Sequence, residues 1–438
     1  MTPRRIVIVG ASLAGLRTAD SLRANGFTGE LVLIGDEPHE PYDRPPLSKA
    51  VLAGRTGTDR LFLPSAQDLN ARRLLGVAAT GLDLAAGEVR LADDRRIGFD
   101  RLVIATGSRS RPWPVPGEAA LRGVHLLRGR EDADRIRADL TAGPRRVLVI
   151  GGGFTGSEVA SSCHDLDIPV TVALRGAAPM ASALGEAVGT AIGARQRAHG
   201  IDLRVRTTVT ALHGDAEGRL RRVWLSDGDE LEVDVAVVAL GSVANTEWLA
   251  GCGLAADPRG VECDAAGRAM GLDCAVVPDV YVAGDVARWR HPHFDAEPQA
   301  LQHWGNAVDQ AEVAAHNLTH RHQRPATALP AFWSDQFGLN VKSVGLPHLA
   351  DQVVLTQGSF ERGPFVAAYG RGGITVGAVA VNSPRVLDGY AALITERAPF
   401  PPAINATDSP ADATVLSAGS NSAESSGPAL TTVHGGQS

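Results

Sequence analysis

The chain sets short, unbroken apolar runs against longer stretches in which apolar residues return every three or four positions. Ile6, Val7, Ile8 and Val9 form the first run, which has no alternation and so predicts a parallel strand buried on both faces. Gly10 ends it, and Leu13, Leu16, Ala19 and Leu22 then recur at helical spacing. A second apolar run, ELVLIGDE, follows from residue 30 and completes a βαβ unit. The same grammar returns later: Val147 to Ile150 is a strand, Gly151, Gly152, Gly153 and Gly156 supply a turn, and Val159, Cys163 and Leu166 carry a helix face before the strand VTVAL at 170–174. Two complete units of this kind imply two dinucleotides.

Further strands are predicted at RLVIATG (101–107), VDVAVVALG (233–241) and DVYVAGD (279–285). From about residue 327 the pattern changes to FWSDQFGLNVKSVG, DQVVLT, PFVAAYG and GITVGAVAVN, strands with antiparallel character and turn-sized gaps. The expected fold is therefore α/β, with two Rossmann-like dinucleotide-binding domains and a C-terminal α+β domain. Residues 401–438 carry few large apolar side chains and read as a disordered tail.

Bulk properties narrow the picture further. A chain of 438 residues is too long for one ordinary core, and 44% apolar with 21% charged residues is the balance of a globular protein. No apolar stretch approaches the ~18 residues of a membrane span. The first apolar run is too short for a signal peptide, which places the protein in the cytoplasm. Cys163, Cys252, Cys263 and Cys274 show neither C-x-x-C spacing nor a metal pattern and read as reduced structural thiols, with no metal expected. A net charge of −7 argues against nucleic acid as a partner.

In the first unit Gly10 permits a tight turn and Gly15 close helix packing, so that a pyrophosphate can sit at the helix N-terminus; Ser12 stands where the middle glycine of G-x-G-x-x-G is expected. Asp36 and Glu37 end the second strand, where a carboxylate accepts ribose hydroxyls and repels a 2′-phosphate. The second unit has Leu174 and Arg175 at that place. Arginine pairs bidentately with phosphate, which favours NADPH; a solvated arginine beside a permissive NADH site is the alternative. EPYDRPPLSK offers Arg44 and Lys49 on a proline-flanked turn, cations that suit a reduced flavin or a pyrophosphate. YVAGDVARW ends a strand in Gly284 and Asp285, admitting a cofactor and accepting from a ribityl hydroxyl.

Taken in order, GASLAG, PYDRPPLSK, ATGS, GGGFTGSE, ALGSVANTEWL, VYVAGDVARW, HWGNAVDQA and FWSDQFG resemble the FAD-dependent ferredoxin reductases, of rubredoxin and putidaredoxin type, of bacterial oxygenase and P450 systems. The resemblance implies an FAD domain from residues 1–110 and 243–325, an inserted NAD(P)H domain at 111–242 and an interface domain at 326–400. It places Asp36 or Glu37 on the FAD ribose, Arg44 and Lys49 on the flavin side, Asp285 on the ribityl chain, Glu158 near Lys49 and the nicotinamide, and Trp333 near the isoalloxazine. Lys49 and Glu158 become the catalytic candidates. The shared motifs add Ala14, Ala105, Thr106, Gly107, Phe154, Thr155, Gly241 and Trp304 to the cofactor-binding set. Leu174-Arg175 and Gln302 depart from the family pattern, each standing where an acid is usual.

The activity implied is transfer of hydride from NADPH or NADH to FAD, then of single electrons to an iron–sulfur ferredoxin serving a P450 or a Rieske-type oxygenase. Arg288, Arg290 and Lys342 are candidates for a basic docking patch. A monomer or weak dimer without membrane contact is expected. A disulfide reductase would need a redox cysteine pair in the flavin segment, and no cysteine precedes Cys163. A quinone or small-oxidant reductase and a non-enzymatic nucleotide-sensing flavoprotein remain the competing readings.

Overall fold

A computed structural model describes residues 3–65, 69–361 and 363–402, together with the backbone of 415–417. Its largest sheet is ten-stranded among the described residues. The centre of that sheet is parallel: Val276–Val282, Arg101–Ile104, Arg5–Val9, Glu30–Ile34 and Arg72–Leu74 lie side by side in that order. Strands from residues 256–300 extend it on one side, so both ends of the first 325 residues build one sheet.

Helix Leu13–Ala24 buries Leu16, Ala19 and Leu22 against Ile6, Ile8, Leu31 and Leu33, and Ala307, Ala314 and Ala315 of helix Trp304–Thr319 join the same cluster. Small alanines let two helices share one face of the sheet. A Cβ on Gly15 would stand 1.8 Å from the Gly10 carbonyl oxygen, so only glycine lets this helix close on its turn.

The second sheet is five-stranded and parallel, in the order Asp202–Val205, Val170–Leu174, Val147–Ile150, Val235–Val238, Val124–His125. Its turn repeats the first in detail, since a Cβ on Gly156 would stand 2.1 Å from the Gly151 carbonyl oxygen. Helix Phe154–His164 stops before Leu166, which packs on the core from the turn beyond it.

The C-terminal sheet is antiparallel and begins in the order Ala331–Gln336, Leu339–Gly345, Ile374–Val381, Phe365–Arg371, Gln352–Gly358. Tyr369, with no exposed surface, sends its hydroxyl out of this sheet to the Leu184 carbonyl at 2.5 Å. That carbonyl precedes Gly185, whose φ of 78° kinks helix Ala181–Ala198. Within the segment read as a tail, Val415–Ser417 pairs antiparallel with Gln352–Gly358 and fills the open edge of the sheet; the rest of 403–438 lies outside the described residues. Among the described residues no helix is long and apolar enough to cross a membrane.

Candidate active site

A cavity of about 720 Å³ opens at the carboxyl ends of the first sheet, where α/β sheets bind ligands. Of the sequence candidates, Gly10, Ser12, Ala14, Asp36, Glu37, Arg44, Lys49, Ala105, Thr106, Gly107, Phe154, Thr155, Glu158, Gly284, Asp285, Trp304 and Trp333 line it. Gly15 lies behind the wall, closing the helix on its turn. Gly151, Gly153, Gly156, Arg175 and Gly241 do not line it; Gly151 and Arg175 directly follow strands of the second sheet, Gly241 lies three residues beyond another, and Gly153 and Gly156 belong to the start of helix Phe154–His164.

The two acids of the first unit differ. Glu37 receives the Arg44 guanidinium at 2.5 Å and the Tyr42 hydroxyl at 2.5 Å. Burial pushes the Tyr42 phenol up from its ordinary value, so it stays a donor. Asp36 is exposed and, among the described residues, its carboxylate accepts only the Glu37 backbone N–H, at 3.0 Å. Arg44 also reaches Ser12 Oγ at 3.3 Å and the Arg128 carbonyl at 2.9 Å, tying the glycine turn to residue 128.

Deeper in the cavity Glu158 is 7% exposed and carries three partners on two oxygens. Lys49 Nζ lies 2.7 Å and Ser48 Oγ 2.6 Å from one oxygen, while Ser334 Oγ donates to the other at 2.7 Å. These partners come from the proline-flanked turn and from the C-terminal sheet, so three distant segments meet at one carboxylate. Ser162 Oγ fixes the turn from below by donating to the Ser48 carbonyl at 2.8 Å. A buried carboxylate is stable only with such compensation.

Asp285 accepts from Ser108 at 3.2 Å and from Arg128 Nη2 at 2.8 Å. Arg128 Nε, Trp248 Nε1 and His303 Nδ1, all on cavity residues, are shielded from solvent and have no hydrogen-bond partner among the described residues. The His303 ring edge is partly exposed, yet burial holds its pKa down to about 4, against the pull of Asp285. Trp304 Nε1 donates to Asp43 at 3.0 Å, and its ring meets Trp333 edge-on at 6.3 Å. Trp333 is 40% exposed and carries the cavity wall to the surface.

Ser48, Tyr42, Arg128, His303 and Ser334 were absent from the sequence candidates. Arg128 had a faint signal, a cation ahead of Gly129 and the acidic helix start Glu131-Asp132; Ser334 had none beyond its place in FWSDQ. The proposed basic patch needs correction at Arg288. Its strand, Ala287–Trp289, pairs with Gly260–Cys263, which puts the guanidinium 12% exposed between Asp257 and Glu262 at 3.6 and 3.2 Å. Arg290 is exposed and Lys342 lies opposite Trp333 on the neighbouring strand. Gln302, where an acid was expected, accepts the Ser242 hydroxyl at 2.5 Å.

Residues 4–311 match the pyridine nucleotide-disulphide oxidoreductase family, and residues 331–413 match the reductase C-terminal domain. The chain belongs to the pyridine nucleotide-disulphide oxidoreductase family. Members of this family use FAD, and this member is an oxidoreductase. It is 36% identical to rhodocoxin reductase of Rhodococcus erythropolis over 87% of each chain. It is 32% identical to putidaredoxin reductase of Pseudomonas putida over 91% of this chain and 93% of that one. The fold matches the reductase in the covalent putidaredoxin reductase–putidaredoxin complex with a TM-score of 0.85, at 31% identity and covering 91% and 94% of the two chains. Despite the family's name, no cysteine lines this cavity among the described residues, and burial lifts the Cys163 thiol to about 12.

Proposed function

We propose that this oxidoreductase moves electrons from NAD(P)H through FAD to an iron–sulfur ferredoxin that serves a P450 or a Rieske-type oxygenase. The observation that carries the reading is the shared cavity: the turn of the first nucleotide unit, the start of the second unit's helix at Phe154, Thr155 and Glu158, and the half-exposed Trp333 line one space. A flavin held there would have Phe154, Thr155 and Glu158 of the second unit's helix in its wall and Trp333 between it and the surface. The relatives named above are reductases of rhodocoxin and putidaredoxin.

FAD fits these residues. The wall combines close backbone approach, with Gly284 at a point where a Cβ would stand 2.8 Å from Ala14 Cβ, and shielded polar atoms on Arg128, Trp248 and His303 that lack a hydrogen-bond partner among the described residues. Asp36 and Glu37 would take ribose hydroxyls, Arg44 and Arg128 the pyrophosphate, and Asp285 the ribityl chain. When bound, FAD supplies the conversion of a two-electron donor into a one-electron donor.

The protein's own residues position and shield. Glu158 holds the Lys49 ammonium at a fixed point in the cavity, and Ser48 and Ser334 fix Glu158 in turn. Trp304, Trp333, Phe154 and Phe332 exclude water from that end, the two phenylalanine rings packing at 4.5 Å. We take the domain limits 1–110 with 243–325, 111–242 and 326–400 as the division of this labour, and a cytoplasmic location as fitting four free cysteines.

Anaerobic addition of NADH or NADPH should bleach the flavin band, and the reduced protein should then reduce a [2Fe–2S] ferredoxin faster than a soluble quinone. Bound flavin that neither nucleotide bleaches would overturn the reading. Faster reduction of quinone would move it to a reductase without a protein partner.

A further inference from the structure

We infer that NADPH is the preferred donor and that Arg175 and Arg206 together seat its 2′-phosphate, a reading that rests on the reductase function above and names its substrate. Strands Val170–Leu174 and Asp202–Val205 are parallel neighbours with Leu174 opposite Val205. The pairing continues past both strand ends, where Arg206 N–H donates to the Gly176 carbonyl at 2.9 Å and Thr207 N–H to the Leu174 carbonyl at 3.0 Å. Arg175 and Arg206 therefore stand side by side just beyond the carboxyl ends of two adjacent strands, where a dinucleotide's adenosine ribose lies in such a sheet.

Leu174 occupies the place of the ribose-binding acid. It is 6% exposed and packs on the glycine turn so closely that a Cβ on Gly152 would meet its Cδ1 at 2.8 Å. No carboxylate is left there to receive a 2′-hydroxyl or to repel a 2′-phosphate. Arg206 held a positive φ of 53°, a conformation non-glycine residues rarely adopt, as the chain turns off the strand.

The state of the charges supports a phosphate seat. Arg204, two residues before Arg206, is saturated by Asp202 and Asp229 at 2.7 Å each and by Asp227 at 3.7 Å. Arg175 and Arg206 are both exposed, and among the described residues neither has an ion pair or side-chain hydrogen bond. Two long, uncompensated guanidinium side chains rooted at neighbouring strand ends can both turn to one dianion, which would accept charge-assisted hydrogen bonds from each.

Calorimetric titration of the holoenzyme with 2′,5′-ADP and with 5′-ADP tests this without any redox step, and steady-state reduction with NADPH and NADH runs beside it. The 2′-phosphate should tighten binding about tenfold or more, and Arg175→Ala and Arg206→Ala should each lower that ratio by about tenfold. Leu174→Glu should lower it further and turn the preference toward NADH. Equal binding of the two nucleotides, or a ratio untouched by Arg206→Ala, would overturn the inference. Efficient reduction by NADH alone would overturn it while leaving the reductase function standing. Reduction by neither donor would sink the function, and the 2′,5′-ADP titration would still decide the phosphate seat.

Discussion

The two nucleotide units of this chain share a backbone and differ at their rims. Both close a helix on a strand through a pair of glycines whose side-chain space is filled by a carbonyl. The first unit then ends in Asp36 and Glu37 and opens on a deep cavity that also takes wall residues from the second unit's helix and from the C-terminal sheet. The second ends in Leu174 and Arg175, and its strand ends lie outside that cavity. On the function proposed above, the repeated backbone would serve as a phosphate cradle twice, and a few rim side chains would decide whether it keeps a cofactor or exchanges a substrate.

The sharpest way to separate the two is to block each cradle alone. Gly10→Val would place its Cβ 2.0 Å from the Ala105 carbonyl oxygen at a φ of +124°, and the purified protein should lack the flavin absorbance altogether. Gly151→Val makes the equivalent clash, 2.3 Å from the Ala239 carbonyl oxygen, and should leave flavin bound while abolishing its reduction by NAD(P)H. Loss of flavin from both variants would show that the units do not act independently.

Next in size is the carboxylate where the units meet. Glu158→Ala removes the carboxylate that Lys49, Ser48 and Ser334 share, leaving Lys49 and Ser48 only the Pro45 carbonyl among the described residues, and stopped-flow flavin reduction should slow by about 10–100-fold as that wall loses its geometry. Arg128→Leu removes the Asp285 partner contributed to the first cavity from residue 128, and flavin affinity measured by ultrafiltration should fall by about tenfold.

The smallest effect concerns pH. His303 is neutral in the folded protein down to about 4 but takes up a proton near 6.5 when unfolded. Falling pH therefore favours the unfolded chain between 6.5 and 4, and stability should drop by about 2 kcal/mol across that window, with allowance for the exposed edge of the ring. Thermal melts of flavin-stripped His303→Asn, compared with the flavin-stripped parent, should lose that slope and keep the rest.

The parts legible in the sequence are those with a period or a covalent neighbour. Unbroken runs such as Ile6 to Val9 and glycines at fixed offsets announce a strand and its turn because local sterics demand them, and Asp36 and Asp285 ride on those turns, while Lys49 rides on a turn that its flanking prolines announce. Arg128 was only faintly signalled, and His303 and Ser334 not at all, because their roles depend on partners far along the chain; nothing around Ser334 says that it meets a carboxylate 176 residues earlier. Arg288 misled for the converse reason. It looks like a free cation until a parallel pairing with Gly260–Cys263 sets it between two acids.

The three-way grip on Glu158 has a consequence for biosynthesis. Ser48, Lys49 and Glu158 leave the ribosome well before Ser334, and at common elongation rates the 176-residue interval lasts roughly 9–35 s. Through that interval the nascent chain holds both glycine turns but lacks the hydroxyl that steadies the carboxylate. The residues proposed to hold the nucleotides, the last of them Asp285, are therefore all made before Ser334 completes the grip on Glu158, and competence arrives only when the final sheet docks.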